Sequence, residues 1–219
     1  MLWLLWLTSI MQWTVLRWTC CLCTVGQAVH TLPEGLPVKG VTSLAGEIYV
    51  LRDKERDEVE VYDVITYRLQ RCLTVPNAGS FEDMTSCEHY CYIYLSDWRV
   101  NVVHRLDAQG AATQWPVNDI PEGLSVNAQH NLLVTCYEAR KIKEFTTDGH
   151  IVRTVCLPGD VINPWHTVQV RSGQFIVCHG SSPPCVYDKC RRPSYCVGTY
   201  QHAMITRLPS RVIIPNLDV

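Results

Sequence analysis

A repeat runs through the middle of this chain. Three stretches share one pattern: "GVTSLAGEIYVLRDKERDEVEVYDVITYRLQRCLTVPN", "DMTSCEHYCYIYLSDWRVNVVHRLDAQGAATQWPVND" and "EGLSVNAQHNLLVTCYEARKIKEFTTDGHIVRTVCLPGD". A fourth stretch begins "HTVQVRSGQFIVCHG" and then loses the pattern. Apolar anchors at Val41, Met84, Leu124 and Val168 recur at steps of 43, 40 and 44 residues. A second set at Val59, Val100 and Ile142 recurs at 41 and 42. Two sets with one period outweigh either alone.

Each unit reads as four strands. A short apolar strand comes first (Val41–Leu44, Met84–Cys87, Leu124–Val126), then a polar turn, then the most apolar strand ("IYVL", "CYIYL", "LLVTC"). A charged turn leads into an alternating third strand, and an Asp or Gly turn such as "DAQG" or "TDGH" leads into the fourth. Alternation with period two marks a half-buried strand, and Gly, Asn and Asp mark the turns. No run has the 3.6-residue spacing and caps of a helix. Four strands in roughly 40–45 residues describe a β-propeller blade. A single four-stranded sheet cannot cover both its faces, whereas stacked blades cover each other. The sequence therefore predicts an all-β partial β-propeller. Blades are expected at residues 39–80, 81–119 and 120–165, with an incomplete fourth at 166–180.

Two of the units, "LVTCYEARKIKEFTTDGHIVRTV" and "YIYLSDWRVNVVHRLDAQGAATQWPV", resemble the NHL-repeat group of six-bladed propellers, found at the C-terminal end of many TRIM-type proteins. The family places an acidic residue and then a basic one between the second and third strands. Here Asp97 and Glu138 take the acidic position and Arg99 and Arg140 the basic one. Asp107 with Gly110, and Asp148 with Gly149, make the later turns. The "GH…WD" pairing of WD-type blades is absent. The resemblance covers residues 36–180 and implies a scaffold that binds partners through its rim loops or its central channel. RNA binding, known within the family, needs a basic and aromatic face. Calcium-dependent ester and lactone hydrolysis, known among six-bladed propellers, needs axial oxygen ligands.

The two ends differ from the middle. Residues 1–28, "MLWLLWLTSIMQWTVLRWTCCLCTVGQA", form an apolar leader interrupted by Arg17. It reads as a signal or anchor, or as an unrelated leader. It lacks a basic n-region, and Arg17 would sit inside any membrane span. After Gly180 comes a tail, residues 181–219, rich in Pro, Cys and Arg, where interior strands are disfavoured. The sequence predicts a truncated or spliced-over chain that is unstable alone or completes its ring with another chain. Charge divides the same way. Residues 36–180 carry 13 Lys and Arg against 18 Asp and Glu, and residues 181–219 carry 5 against 2. The acidic repeat region argues against RNA, and more strongly against DNA.

Of the 12 cysteines, Cys72, Cys87, Cys91, Cys136, Cys156 and Cys178 sit in strand-like runs and read as packed free thiols. That usage points to a reducing, cytoplasmic setting; secretion or anchoring follows if residues 1–28 act as signal or anchor. Cys185, Cys190, Cys196 and His202 miss the spacing of a zinc knuckle. Asn118, Asn127 and Asp160 offer oxygens for calcium but lie in turns. "CHG" at 178–180 with His166 raises a thiol nucleophile, but the strand context favours a packed cysteine. No catalytic residue, metal or cofactor is expected. The expected binding surface is a rim of hairpin loops carrying Asp97, Trp98, Arg99, Glu138, Arg140 and Lys141, with Trp98 as anchor for a protein partner. A basic patch of Arg99, Arg140, Lys141 and Lys143 is the local feature that would serve RNA. The expected function is a non-enzymatic interaction module.

Overall fold

A computed structural model describes residues 14–16, 28–31, 37–52, 58–180, 182–187 and 193–196, with side chains over 37–52 and 58–180. The described residues contain no helix. Strands β1 (Thr14–Leu16) and β2 (Ala28–Thr31) form a two-stranded ribbon. The rest of the leader, and residues 197–219 of the tail, lie outside the described residues.

Four antiparallel four-stranded sheets follow. Blade 1 has β3 (Val38–Leu44), β4 (Glu47–Arg52), β5 (Glu58–Asp63) and β6 (Leu69–Thr74). Blade 2 has β7 (Phe81–Cys87), β8 (Tyr92–Asp97), β9 (Val102–Asp107) and β10 (Ala112–Pro116). Blade 3 has β11 (Pro121–Val126), β12 (Leu132–Cys136), β13 (Lys141–Phe145) and β14 (Ile151–Cys156). Blade 4 has β15 (Pro164–Gln169), β16 (Phe175–His179), β17 (Ser182–Tyr187) and β18 (Pro193–Cys196). In every blade sequential strands are neighbours. The first strands β3, β7, β11 and β15 lie side by side, which makes them the innermost strands.

The second strands are apolar along their middle, at Ile48–Leu51, Ile93–Leu95 and Leu132–Val134, because both of their faces are buried there. Ile93 and Leu95 join a core with Tyr49, Leu51 and Val61 of blade 1. Tyr94, between them, joins a core with Leu132, Val134 and Phe145 of blade 3. Leu133 points the other way again, into a core with Phe175 and Val177 of blade 4. Alternate residues of one strand therefore fill two different blade interfaces, as the period-two geometry requires.

Three expectations change. The fourth unit does not end at Gly180: Ser182–Tyr187 pairs with β16 and Pro193–Cys196 with β17. Pro183 and Pro184 fall at a register shift near the start of β17 and Pro193 on the edge strand β18, two places where a missing ladder donor is tolerated. Backbone pairing also shifts two anchors. Val41, Met84 and Leu124 pair with Val50, Leu95 and Val134, and the residue paired with Val177 is Thr167, not Val168. On the third strand the partner of Ser96 is Val103, and Val100 lies in the preceding turn. Turns of unequal length move apolar residues relative to the ladder, so apolar spacing alone misplaces the register.

Candidate functional site

The connections between the second and third strands of each blade decide which loops share a face. In an up-and-down sheet, the loops between second and third strands and those joining one blade to the next lie at the same end. This end carries residues 75–80, 98–101, 117–120, 137–140 and 157–163, together with the start of each innermost strand. It is called the upper face below.

Asp97 ends β8 and builds the central part of this face. It is fully buried, at 0% exposure. Its Oδ1 accepts the backbone N–H groups of Ser80 (3.0 Å), Arg99 (3.1 Å) and Val100 (3.3 Å). Its Oδ2 accepts Gly79 N–H at 2.5 Å and lies 3.4 Å from His104 Nε2. Burial pushes the carboxyl upward, but the His104 contact and the donors from Gly79, Ser80 and Val100 outweigh it and hold it below the usual carboxylate range. Asp97 is therefore the clamp beneath the surface, and not part of the surface expected to meet a partner.

Trp98 is held in place by that clamp. Its Nε1 donates to Ser80 Oγ at 3.1 Å, its backbone N–H donates to Ser80 O, and its side chain remains 43% exposed. Val100, Ile162 and Trp165 are exposed on the same face. Ile162 and Trp165 were not singled out in the sequence, although an apolar residue inside the turn run "GDVINPW" is the signal for them.

The expected acidic and basic positions are out of register. Asp97 pairs with Val102, and Cys136 with Lys141, so Asp97 corresponds to Cys136. Glu138 then corresponds to Arg99, and Arg140 to Asn101. The backbone agrees: Val117 N donates to Asn101 O, Leu157 N donates to Arg140 O, and both acceptor residues have left-handed φ angles of 57° and 49°. Glu138 and Arg140 are exposed on the upper face, and Lys141 is half-buried. Lys143 leaves the expected basic patch. It is buried, donating to Val117 O at 2.5 Å and pairing with Asp119 at 2.6 Å.

The axial mouth lies at the start of the innermost strands. Each of these strands has a register shift near its start, and the pairing places Gly40, Asp83, Gly123 and His166 at one equivalent position. Asp83 Oδ2 accepts Leu124 N–H at 2.9 Å and lies 3.3 Å from His166 Nδ1. Asp83 Oδ1 accepts Met84 N–H at 2.8 Å. The carboxylate thus spans from blade 2 to blade 4 across the intervening strand. Glycine makes this close approach feasible. A Cβ on Gly123 would sit 2.3 Å from Trp165 O and 2.8 Å from His166 Nδ1.

Other sequence-stated groups disperse. Asn127 is buried in the turn at the opposite end, donating to Glu144 and Gln169, whereas Asn118 and Asp160 are exposed on the upper face. They do not form a calcium site. No group of three His, Cys, Asp or Glu able to hold a metal occurs among the described residues. Cys178 pairs with His166 across β15 and β16, but burial pushes its thiol up to about 11, which removes it as a nucleophile at neutral pH. The six cysteines whose side chains are described are free; Cys87 and Cys136 are buried as expected, whereas Cys72 and Cys91 are exposed. Cys185 and Cys196 pair across β17 and β18, and Cys190 and His202 lie outside the described residues.

These features define a β-propeller protein. No family model and no curated protein matches the sequence. Among solved structures, a streptogramin B lyase is similar with a TM-score of 0.62 at 16% identity, over 74% of this chain and 55% of that one. Hydrazine synthase of Kuenenia stuttgartiensis gives 0.60 at 16%, over 75% and 50%. The WD40 propeller domain of Doa1 gives 0.55 at 9%, over 67% and 49%. The chain spans about half the length of these proteins. At such identities the likeness is one of fold. It nonetheless overturns the expectation of a non-enzymatic chain, because streptogramin B lyase is an enzyme on this fold.

Proposed function

We propose that this chain is an NHL-like β-propeller module that binds a protein partner on its upper face. The observation that carries the proposal is that Trp98, Val100 and Ile162 on the loops and Trp165 at the start of β15 are all exposed at one end of the blades. Large aromatic anchors with charged neighbours form the usual centre of a protein interface, and Arg99, Glu138 and Arg140 supply the charges here. Trp98 is already oriented by its bond to Ser80, so binding loses little side-chain freedom.

The test is a comparison between faces. A partner isolated by photo-crosslinking from position 100 is measured against Trp98→Ala and Trp165→Ala chains, and against Ile65→Ala at the opposite end. Each tryptophan change is expected to weaken binding about 30-fold, equivalent to about 2 kcal/mol for an interface anchor. Ile65→Ala should have no effect. Loss of binding with Ile65→Ala and retention with both tryptophan changes would overturn the proposal.

A further inference from the structure

Beyond partner binding, the geometry points to an acid–base site at the axial mouth, with His166 as the proton acceptor and Asp83 as its positioning residue. The site would act on a small acyl compound, an ester, through a water molecule. Four observations support it. Asp83 engages Nδ1 of His166 at 3.3 Å, which leaves Nε2 as the nitrogen with a free lone pair in the neutral ring. The imidazole keeps 25% of its side-chain surface open, while Asp83 is nearly buried. Asp83 is itself fixed by the N–H groups of Met84 and Leu124, and Ser96 Oγ, which accepts Asp83 N–H at 2.9 Å, donates to Glu122 O at 2.8 Å. Finally, glycines occupy the same position in the two other blades. A Cβ at Gly40 would meet Met84 at 3.2 Å, and one at Gly123 would occupy the space of His166. A buried carboxylate holding one ring nitrogen fixes the tautomer and stabilises the imidazolium that forms.

The step balances without a further reactant. Nε2 takes a proton from water as its oxygen bonds to the acyl carbon. The ester C–O bond breaks, and the imidazolium proton passes to the leaving oxygen or to solvent. One acid and one alcohol result. The other titratable groups at this end of the strands packed here are Lys39 on β3, Glu82 on β7, Asp97 on β8, Glu122 on β11, Cys136 on β12, and Cys178 and His179 on β16. Lys39 is already engaged with Phe81 O and Glu82.

The test uses the full chain in two measurements. The first is a nitrogen NMR titration of the histidine rings, assigned by His166→Gln. The neutral ring of His166 is expected to carry its proton on Nδ1. In Asp83→Asn, which retains an acceptor for Leu124 N–H, that preference for Nδ1 is expected to weaken. The second is hydrolysis of p-nitrophenyl acetate, where His166→Gln is expected to lower the rate at least about tenfold. Asp83→Asn should shift the pH profile and reduce the rate less. A neutral ring protonated on Nε2 in the unaltered chain would overturn the inference, whether or not the variants fold. So would an unchanged rate in a folded His166→Gln chain. Neither outcome depends on the partner-binding test.

Discussion

Asp97 shows how one residue can fix a surface without belonging to it. Four backbone donors and His104 converge on its carboxylate, and the turn that presents Trp98 depends on them. Asp97→Ala leaves these donors unpaired in a dry site and is expected to cost about 3–5 kcal/mol in urea unfolding. The pH dependence follows from the depressed folded value. Protonation is easier in the unfolded chain, so the carboxylate stabilises the fold fully above its ordinary value of 3.8. That stabilisation is lost as pH falls from there through the lower folded value. Acid titration of Trp98 fluorescence and of global unfolding should show the loss in that window, and Asp97→Asn should abolish it. Little of this was legible in the sequence. The pair "SD" before a tryptophan reads as a turn, and only the ladder shows that Asp97 ends a strand under two loops. The same holds for the third strands, where Glu60, His104 and Lys143 occupy one equivalent buried position. Each faces a different partner: Arg52, Asp97 and Asp119. Alternation marks these positions as inward-facing but does not name the partner.

At the scale of elements, the innermost strands are joined by short polar side chains and close backbone approach. Thr42 and Ser86 share a hydrogen bond of 2.7 Å between β3 and β7, and Ser125 donates to Thr167 O at 2.6 Å between β11 and β15. Gly123→Ala has no room, because the added carbon would overlap Trp165 O. It is expected to destabilise by about 2 kcal/mol or more, within the range of overpacking changes. Gly159→Ala meets nothing within 4 Å and should stay within about 0.5 kcal/mol. Thermal melts of the two chains decide this; equal melting temperatures would mean that the innermost strands separate freely. The twelve strands of the first three units were legible because apolar alternation and turn residues agree there. The last two strands of blade 4 were not, since Pro183, Pro184 and Pro193 signal a loop, whereas a register shift and an edge strand both accept proline.

At the scale of the molecule, arginines link successive blades along one side. Arg71 reaches Ala108 O, Arg105 reaches Thr147 O and Asp148 while stacking over Tyr92, and Arg153 lies over Phe175. The core therefore consists of interfaces between blades, each closed by hydrophobic contact and a cationic strap. Arg105→Ala is expected to cost about 1 kcal/mol. Amide exchange should quicken in β9 and β13 and stay unchanged in β3 to β6. Uniform quickening across all blades would mean that the straps do not act joint by joint. Whole-chain function was the least legible quantity, because a stack of similar blades fixes where a ligand meets the protein without fixing what it is.

The column shared by Gly40, Asp83, Gly123 and His166 separates inheritance of shape from inheritance of chemistry. Shape is written in the second strands, whose apolar residues all blades hold in common. Chemistry is written at one address per blade, and two of the four addresses are blank. Such a chain could acquire, lose or exchange a reactive group by single substitutions at that address, and its cores would not record the change.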